Sequence, residues 1–320
     1  MSKAFGKITG YQLAKICGVS QGTVDRALNN RAGISPKTKE KILNAAKEYG
    51  YVKNLKANSL SSGKSYILGV VAFDLDNDYF AQTVDAISKR AAEMGYSVIT
   101  ALSYKELEKE KKAISQMIAI GVDGIILCPV GKGNEYSSWL KSTEIPIVTY
   151  GNKIEGIAHI GIDNKKAMFQ VADRLKQKGF ENFIYLYTAK SQIEHNNIYA
   201  QEQRYLGFMA ATQQVKNRQV VSDEDYILPI TKLINKGQKT VVICPSDFQA
   251  IKLLRAFENK PEGKYVYITG FDRIRNIDFI CPNLSTVDTY IKNVGRIAVE
   301  EILSKEPKSK VTEYSITFKG

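Results

Sequence analysis

Two helix starts packed into the stretch Ile8–Asn29, ITGYQLAKICGVSQGTVDRALN, constrain this chain more than any other feature. Thr9 can cap a first helix, with Gln12 three residues on to complete a capping box and Ile8 and Leu13 placed as a hydrophobic staple. Ser20 can cap a second, with Val19 and Val24 as its staple. Gly18 falls where the first helix must stop in a left-handed conformation, which glycine adopts without a steric penalty. Leu13, Ile16, Val24, Ala27 and Leu28 supply apolar faces to pack the two helices across a short turn. This is the pattern of a helix-turn-helix, whose second helix is the one offered to a DNA major groove.

Any small helical hairpin could carry such caps, so the neighbouring residues have to discriminate. Ser35-Pro36 opens a third helix, with Ile42, Leu43, Ala46 and Tyr49 as its expected buried face and Gly50 at its end. Three helices in so few residues bury little core, so the unit needs a partner or a larger domain. Its charge is distinctive. Residues 1–64 hold 12 Lys and Arg against Asp25, Glu40 and Glu48, so +9 of the chain's net +12 lies in its first fifth. A basic excess confined to one end is what phosphate neutralisation requires.

GVSQGTVDRALNNRAGISPKTKEKILNAAKEYGY resembles the DNA-binding headpiece of the lactose-repressor (LacI/GalR) family of bacterial transcription regulators. The likeness runs through GVS, the TV-R-LN spacing, the Ser-x-x-Thr that opens the third helix and the closing Gly-Tyr. The resemblance implies DNA contacts by Thr9, Ser20, Gln21, Gly22, Thr23, Arg26, Asn29, Ser35, Lys37 and Thr38, with Gln21, Gly22 and Arg26 on the groove-facing side. Gln21 and Arg26 are suited to bidentate contacts with adenine and guanine. Residues 53–64 would be a hinge that turns helical over operator DNA, with Ala57 in its pattern and Leu60 as the wedge in the minor groove. Lys53 stands where that family usually has proline, and Asn58 where it often has arginine.

From Tyr66 the texture changes. YILGVVAF is a continuous apolar run, as a strand buried on both faces requires. Helical stretches (Tyr79–Met94, Leu107–Ile120, Lys165–Lys178, Gln201–Val215, Ala250–Phe257, Tyr290–Ser304) then alternate with SVITA, DGIILC, IPIVTY, FIYLY, TVVIC and YVYITGF, with VTEYSITF as a final strand. Such alternation argues parallel sheets flanked by helices. The expected fold is therefore an all-α helix-turn-helix headpiece (1–52), the hinge (53–64) and an α/β core (65–320). The core resembles two-lobed periplasmic binding proteins, with one lobe at about 65–160 and 288–308 and the other at about 161–287 and 309–320. In that family the chain crosses between lobes three times, here near Ile160, Val287 and Lys308.

Catalysis finds little support. VAFDLDNDYF after the first strand lacks the G-x-G-x-x-G of a dinucleotide site, and neither a phosphate loop nor a G-x-S-x-G elbow occurs. Gly131-Lys132-Gly133 reads as a turn. His159 and His195 lack a neighbouring cysteine or carboxylate cluster, so no metal and no cofactor is expected. Cys17, Cys128, Cys244 and Cys281 are widely spaced and fit a reducing compartment. No apolar run is long enough to cross a membrane and MSKAFGKITG is no signal peptide, so a cytoplasmic location is expected.

In open parallel sheets ligands bind beyond the carboxyl ends of strands. Those ends carry Asp74 to Phe80, Tyr150-Gly151-Asn152, Pro245-Ser246-Asp247-Phe248 and Gly270-Phe271-Asp272. Aromatic rings among amides and carboxylates suit a sugar-like ligand, while Asp163 and Asp247 read as helix caps. The family resemblance implies effector contacts by Asn77, Tyr79, Phe80, Asn152, Arg204 (in R-x-x-G-F), Ser246, Asp272 and Thr289. Counting Asp74, Asp76, Asp78, Asp247 and Asp272 against Arg204 alone, the expected effector is a neutral or cationic polyhydroxy ligand, a sugar, polyol or amino sugar. The function expected is a homodimeric, DNA-binding transcription regulator, acting as a repressor on an inverted-repeat operator. A solute-binding protein of a transport system and a sugar-modifying α/β enzyme stand as the alternatives.

Overall fold

A computed structural model describes residues 8–28, 30–51, 63–188, 190–222, 225–234, 238–258 and 260–319. The chain forms two compact units, Met1–Ser65 and Tyr66–Gly320. In the first, α1 (Gly10–Cys17), α2 (Gln21–Leu28) and α3 (Pro36–Glu48) start where their caps predict. Thr9 and Gln12 close the capping box, Gly18 ends α1 at φ +65°, and the Ser20 and Ser35 hydroxyls accept from the amides of Thr23 and Thr38. Leu13, Ala14, Cys17, Val24, Ala27, Ile42 and Ala46 form the core. Ile16, Leu43 and Tyr49, expected inside, are exposed. A core this small covers only a narrow arc of each helix, and Ile16 and Leu43 lie beyond it, while Tyr49 sits past the end of α3.

In the second unit, strands β1 (Ile67–Ala72), β2 (Ser97–Leu102), β3 (Gly124–Leu127), β4 (Ile147–Tyr150), β5 (Ala158–Ile162) and β11 (Lys310–Thr312) form one parallel sheet. Its order is β2-β1-β3-β4-β5-β11. β6 (Asn182–Leu186), β7 (Asn217–Val221), β8 (Thr240–Ile243) and β9 (Val266–Thr269) form a second, ordered β7-β6-β8-β9. β10 (Thr286–Asp288) and β12 (Ser315–Thr317) pair antiparallel, and bridges at Ser285 and Asp288 lay this ribbon beside the second sheet. β1, flanked by β2 and β3 inside the first sheet, is buried from Leu68 to Ala72, as its unbroken apolar run demands. VTEYSITF is not one strand: Lys310–Thr312 pairs with β5 in the first lobe and Ser315–Thr317 with β10 in the second. The third crossing therefore follows Thr312 and does not lie near Lys308. The helices Gly133–Ser142 and Ile227–Leu233 and strand β7 carry signals too weak for the sequence pattern to reveal.

Close helix packing sets up the second lobe. Helices Asn164–Gln177 and Tyr199–Ala211 cross at Gly207, where a Cβ would stand 2.2 Å from the carbonyl oxygen of Lys165. Only glycine lets the two backbones approach this far. That contact brings Arg204, one turn earlier, against the amino end of the neighbouring helix.

Candidate functional site

On the first unit, α2 buries Val24 and Ala27 and turns Gln21, Gly22 and Arg26 outward, all exposed. Thr9, Ser20, Ser35 and Lys37 are exposed and Thr23 and Thr38 half-buried. The Ser20–Thr23 and Ser35–Thr38 hydroxyl pairs lie 2.9 and 2.8 Å apart at the amino ends of α2 and α3. Both helix starts thus offer amide N–H groups and a partial positive charge, the arrangement that receives a phosphate. Asp25, an acid in a basic surface, pairs with Arg31 at 3.0 Å. Asn29, Ala57 and Leu60, with the rest of the expected hinge, lie outside the described residues.

In the second unit a cavity of about 440 Å³ lies between the lobes. Asn77, Tyr79, Phe80, Asn152, Arg204, Ser246 and Asp272 all line it. Asn77 caps the helix Asp78–Glu93 through the amide of Tyr79, and Tyr79 then packs against the cores of both lobes. Burial pushes its phenol pKa far up, so the hydroxyl stays a neutral donor and acceptor. Phe80 is mostly first-lobe core, tilted against Phe73 at 5.1 Å between ring centroids.

Arg204 is 7% exposed and tied down on every side. Its Nε donates to Asn164 Oδ1 at 2.8 Å, Nη1 to the Pro245 carbonyl and Nη2 to Asp272 Oδ1 at 3.2 Å. Its guanidinium lies 3.7 Å from the centroid of the Phe271 ring. Asp272 sits at φ +107°, with its amide donating to Val287 and its carbonyl accepting from Thr289. Burial lifts the Asp272 carboxyl to about 7 against the opposing pull of Arg204, with nearby Asp247 adding to the rise.

Several expectations change here. Thr289 is buried behind Asp272 and does not line the cavity; it buttresses the carboxylate's backbone. Asn152 reaches the cavity, but its amide is committed to protein. Nδ2 donates to Asn197 at 2.6 Å and Oδ1 accepts from Ala200 at 3.1 Å. Asn197 replies with Nδ2 donated to Gly131 and Lys153 at 3.1 and 3.0 Å, so two buried amides latch the lobes together. Asp163 caps its helix as expected, but Asp247 does not, since Ser246 holds that place. Asp247 is fully buried and accepts from Ile274 N and Thr286 Oγ1, pinning the segments after β9 and at β10. Burial raises its carboxyl to about 6. Gly131-Lys132-Gly133 is the start of a helix, held by buried Glu110, which accepts from the amides of Val130 and Gly131.

The acid count fails most plainly. Asp74 accepts from the amide of Asn77, Asp78 faces Gln82 and Arg275, Asp76 is exposed and Asp247 is enclosed. None of the four lines the cavity. Among the described residues its charged lining is Lys105, Arg204, Lys252 and Asp272. The expectation of a neutral or cationic ligand, built on that count, loses its ground. Lys105, Tyr187, Gln201, Gln249 and Lys252 are lining residues that the sequence reading missed. Two had a signal: Gln201 shares a helix face with Arg204, and Lys252 with Phe248.

The described residues hold no helix long and apolar enough to cross a membrane and no cluster of metal-ligating side chains. Residues 68–277 match the family model of a periplasmic binding protein domain, and residues 11–54 that of bacterial regulatory proteins, lacI family. The chain is 26% identical over 307 residues to catabolite control protein A of Staphylococcus epidermidis, covering 91% of this chain and 90% of that one. Its fold is similar to that of a lac repressor dimer bound to operator and the anti-inducer ONPF. The TM-score there is 0.80 at 20% identity, over 98% of each chain. It also resembles a periplasmic binding protein/LacI transcriptional regulator from Alkaliphilus metalliredigens complexed with D-xylulofuranose. That match has TM-score 0.68 and 20% identity and covers 79% of this chain and 98% of that one.

Proposed function

Because the chain belongs to the lacI family of bacterial transcription regulators, with a periplasmic-binding-protein domain as its larger part, we propose that it is an effector-controlled repressor. It reads an inverted-repeat operator as a homodimer in the cytoplasm, residues 1–52 supplying the headpiece and 53–64 the hinge. One short headpiece offers too few base contacts to find a genomic site, and two on a two-fold axis read two half-sites. Gln21 and Arg26 read bases, while Thr9, Ser20, Thr23, Asn29, Ser35, Lys37 and Thr38 position the backbone, and Ala57 and Leu60 act at the hinge. The effector is a small polyhydroxy molecule in the interlobe cavity. It packs against Tyr79 and the edge of Phe80 and bonds to Arg204, Asp272, Asn77 and Ser246. The observation that carries this reading is a buried Arg204–Asp272 pair facing a cavity between two lobes, on the same chain as an exposed recognition helix.

The D-xylulofuranose complex and the operator-bound dimer of similar fold are consistent with both halves of the proposal. Lobe movement about a ligand changes the state of the attached hinge, and linkage requires DNA to shift ligand affinity by the same factor. Selection of operators from random duplex DNA by the full chain tests the DNA half, with enrichment of an inverted repeat expected. A protein that enriches no palindrome, or whose bound operator responds to no sugar, polyol or sugar derivative, is not this regulator.

A further inference from the structure

Three helices aim their amino ends at the cavity. Asn77, Ile198 and Ser246, the residues that start Asp78–Glu93, Tyr199–Ala211 and Asp247–Phe257, all line it. Each helix start carries a partial positive charge. Of the charged lining, Arg204 and Asp272 pair with one another at 3.2 Å, which leaves Lys105 and Lys252 uncompensated. Neither has a carboxylate within 4.0 Å among the described residues; Lys252 lies 4.4 Å from the Phe248 ring centroid, itself part of the lining. Lys105 belongs to the first lobe and Lys252 to the second.

The chain reaches Lys105 through an unusual backbone. Tyr104 and Lys105 take φ of +51° and +61°, two consecutive left-handed residues without a glycine. The amides of Ser103 and Tyr104, bonded to the carbonyls of Ala72 and Phe73 at the end of β1, hold this turn in place. Non-glycine residues forced into this region concentrate at functional sites, where the surroundings over-determine them. Arg204 adds to the positive balance, because three of its five N–H donors are used by Asn164, Pro245 and Asp272, leaving two for a ligand. Burial also weakens the counter-charge, since the Asp272 carboxyl titrates near neutrality.

We propose that the effector is an anion, a polyhydroxy molecule whose phosphate or carboxylate is gripped between Lys105 of the first lobe and Lys252 of the second. This rests on reading the interlobe cavity as the effector site, and it replaces the neutral or cationic ligand that the sequence suggested. A neutral sugar filling the same space would leave two like charges facing each other across the cleft. An anion cancels that repulsion, so it favours approach of the lobes as well as binding. The amides of Tyr79, Tyr199, Ala200, Asp247 and Gln249 at the three helix ends are taken by Asn77, Asn197, Asn152, Phe271 and Ser246, so these ends add positive potential rather than free donors.

Calorimetry on the full chain decides it, with a panel of pentoses and hexoses each offered as the free sugar, the phosphate monoester and the aldonic acid. At least one anionic member is expected to bind roughly 10–100-fold more tightly than its parent, as charge-assisted contacts at two lysines imply. The phosphate or the acid arm, whichever wins, identifies the anionic group. Lys105→Gln with Lys252→Gln is expected to cut the ratio of anion to parent affinity by about tenfold or more. Both side chains are exposed, and an unchanged melting curve certifies that the variant is folded. A free sugar that binds as tightly as its phosphate and acid, in both wild type and variant, overturns the anion and leaves the effector site standing. Binding by no member of any charge overturns the effector site itself, and the anion with it.

Discussion

The headpiece carries its exposed chemistry on the outside of its own unit, whereas the interlobe cavity carries its chemistry inside the other. In the headpiece, seven buried residues among those described hold three helices, and the side chains proposed to meet DNA stand outside or half-buried. Among the described residues, no hydrogen bond or ion pair beyond the helix aims Gln21 or Arg26. In the cavity the key side chains are inside, and each is aimed by several others. Arg204 is held by Asn164, Pro245, Asp272 and the Phe271 ring, and Asp272 is held in turn by Val287 and Thr289. A surface reader is thus specified by spacing along one helix, whereas a buried binder is specified by partners distant in sequence. Mutations should separate the two accordingly.

The largest effect expected is loss of function by region. Residues 66–320 alone should retain a folded core and full ligand affinity yet bind no operator, as gel shift and calorimetry would register. Sequence-specific DNA binding by that fragment would break the comparison outright. Next comes Arg204→Ala, which strands a carboxylate in a site 4% exposed. Removing one partner of a buried ion pair costs about 3–5 kcal/mol, so urea unfolding of the core should shift strongly and ligand binding should vanish.

Arg26→Ala is the matched change on the exposed side. It should cost roughly 1–3 kcal/mol of operator affinity and relax preference at one position per half-site. Headpiece stability should stay put. A loss spread evenly over all sequences would reassign Arg26 to phosphate. Ser20→Ala should cost about 1 kcal/mol of headpiece stability, seen in its thermal unfolding, by leaving the amide of Thr23 without its cap.

The core should also show a pH dependence, read as a trend and not as a single loss. Asp272 is raised in the folded state from 3.8 to about 7. Its contribution to stability is therefore fully present below pH 3.8 and is lost as pH rises through about 7, because the folded chain must then hold the buried charge. Asp272→Asn should gain on wild type in urea midpoint between pH 5 and pH 8. A constant difference across that range would mean that Arg204 cancels the burial.

The elements that were legible are those whose cause is local. Thr9 and Gln12 announce the first helix from three residues apart, Ser35-Pro36 the third, and YILGVVAF a strand buried on both sides. VTEYSITF failed because its two halves pair with strands of different lobes, and no residue within it records that break. R-x-x-G-F was legible as a spacing, yet its reason lies elsewhere. Gly207 is small because Lys165 and Phe169 press on it, and that contact delivers Arg204 to Asn164.

By itself, then, the sequence determined that this chain has a basic helix-turn-helix end and an alternating α/β core, and which strand ends border the interlobe cavity. Helix caps, apolar runs and charge excess act over a few residues, so reading along the chain recovers them. Tertiary structure alone decided the sign of the cavity's charge. Asp74 is held by the amide of Asn77, Asp78 by Gln82 and Arg275, Asp76 is exposed, and Asp247 is enclosed, so none of the four lines the cavity. Lys105 and Lys252, from different lobes, come to face one space. Electrostatic interaction depends on distance and burial, and neither quantity exists until the chain has folded.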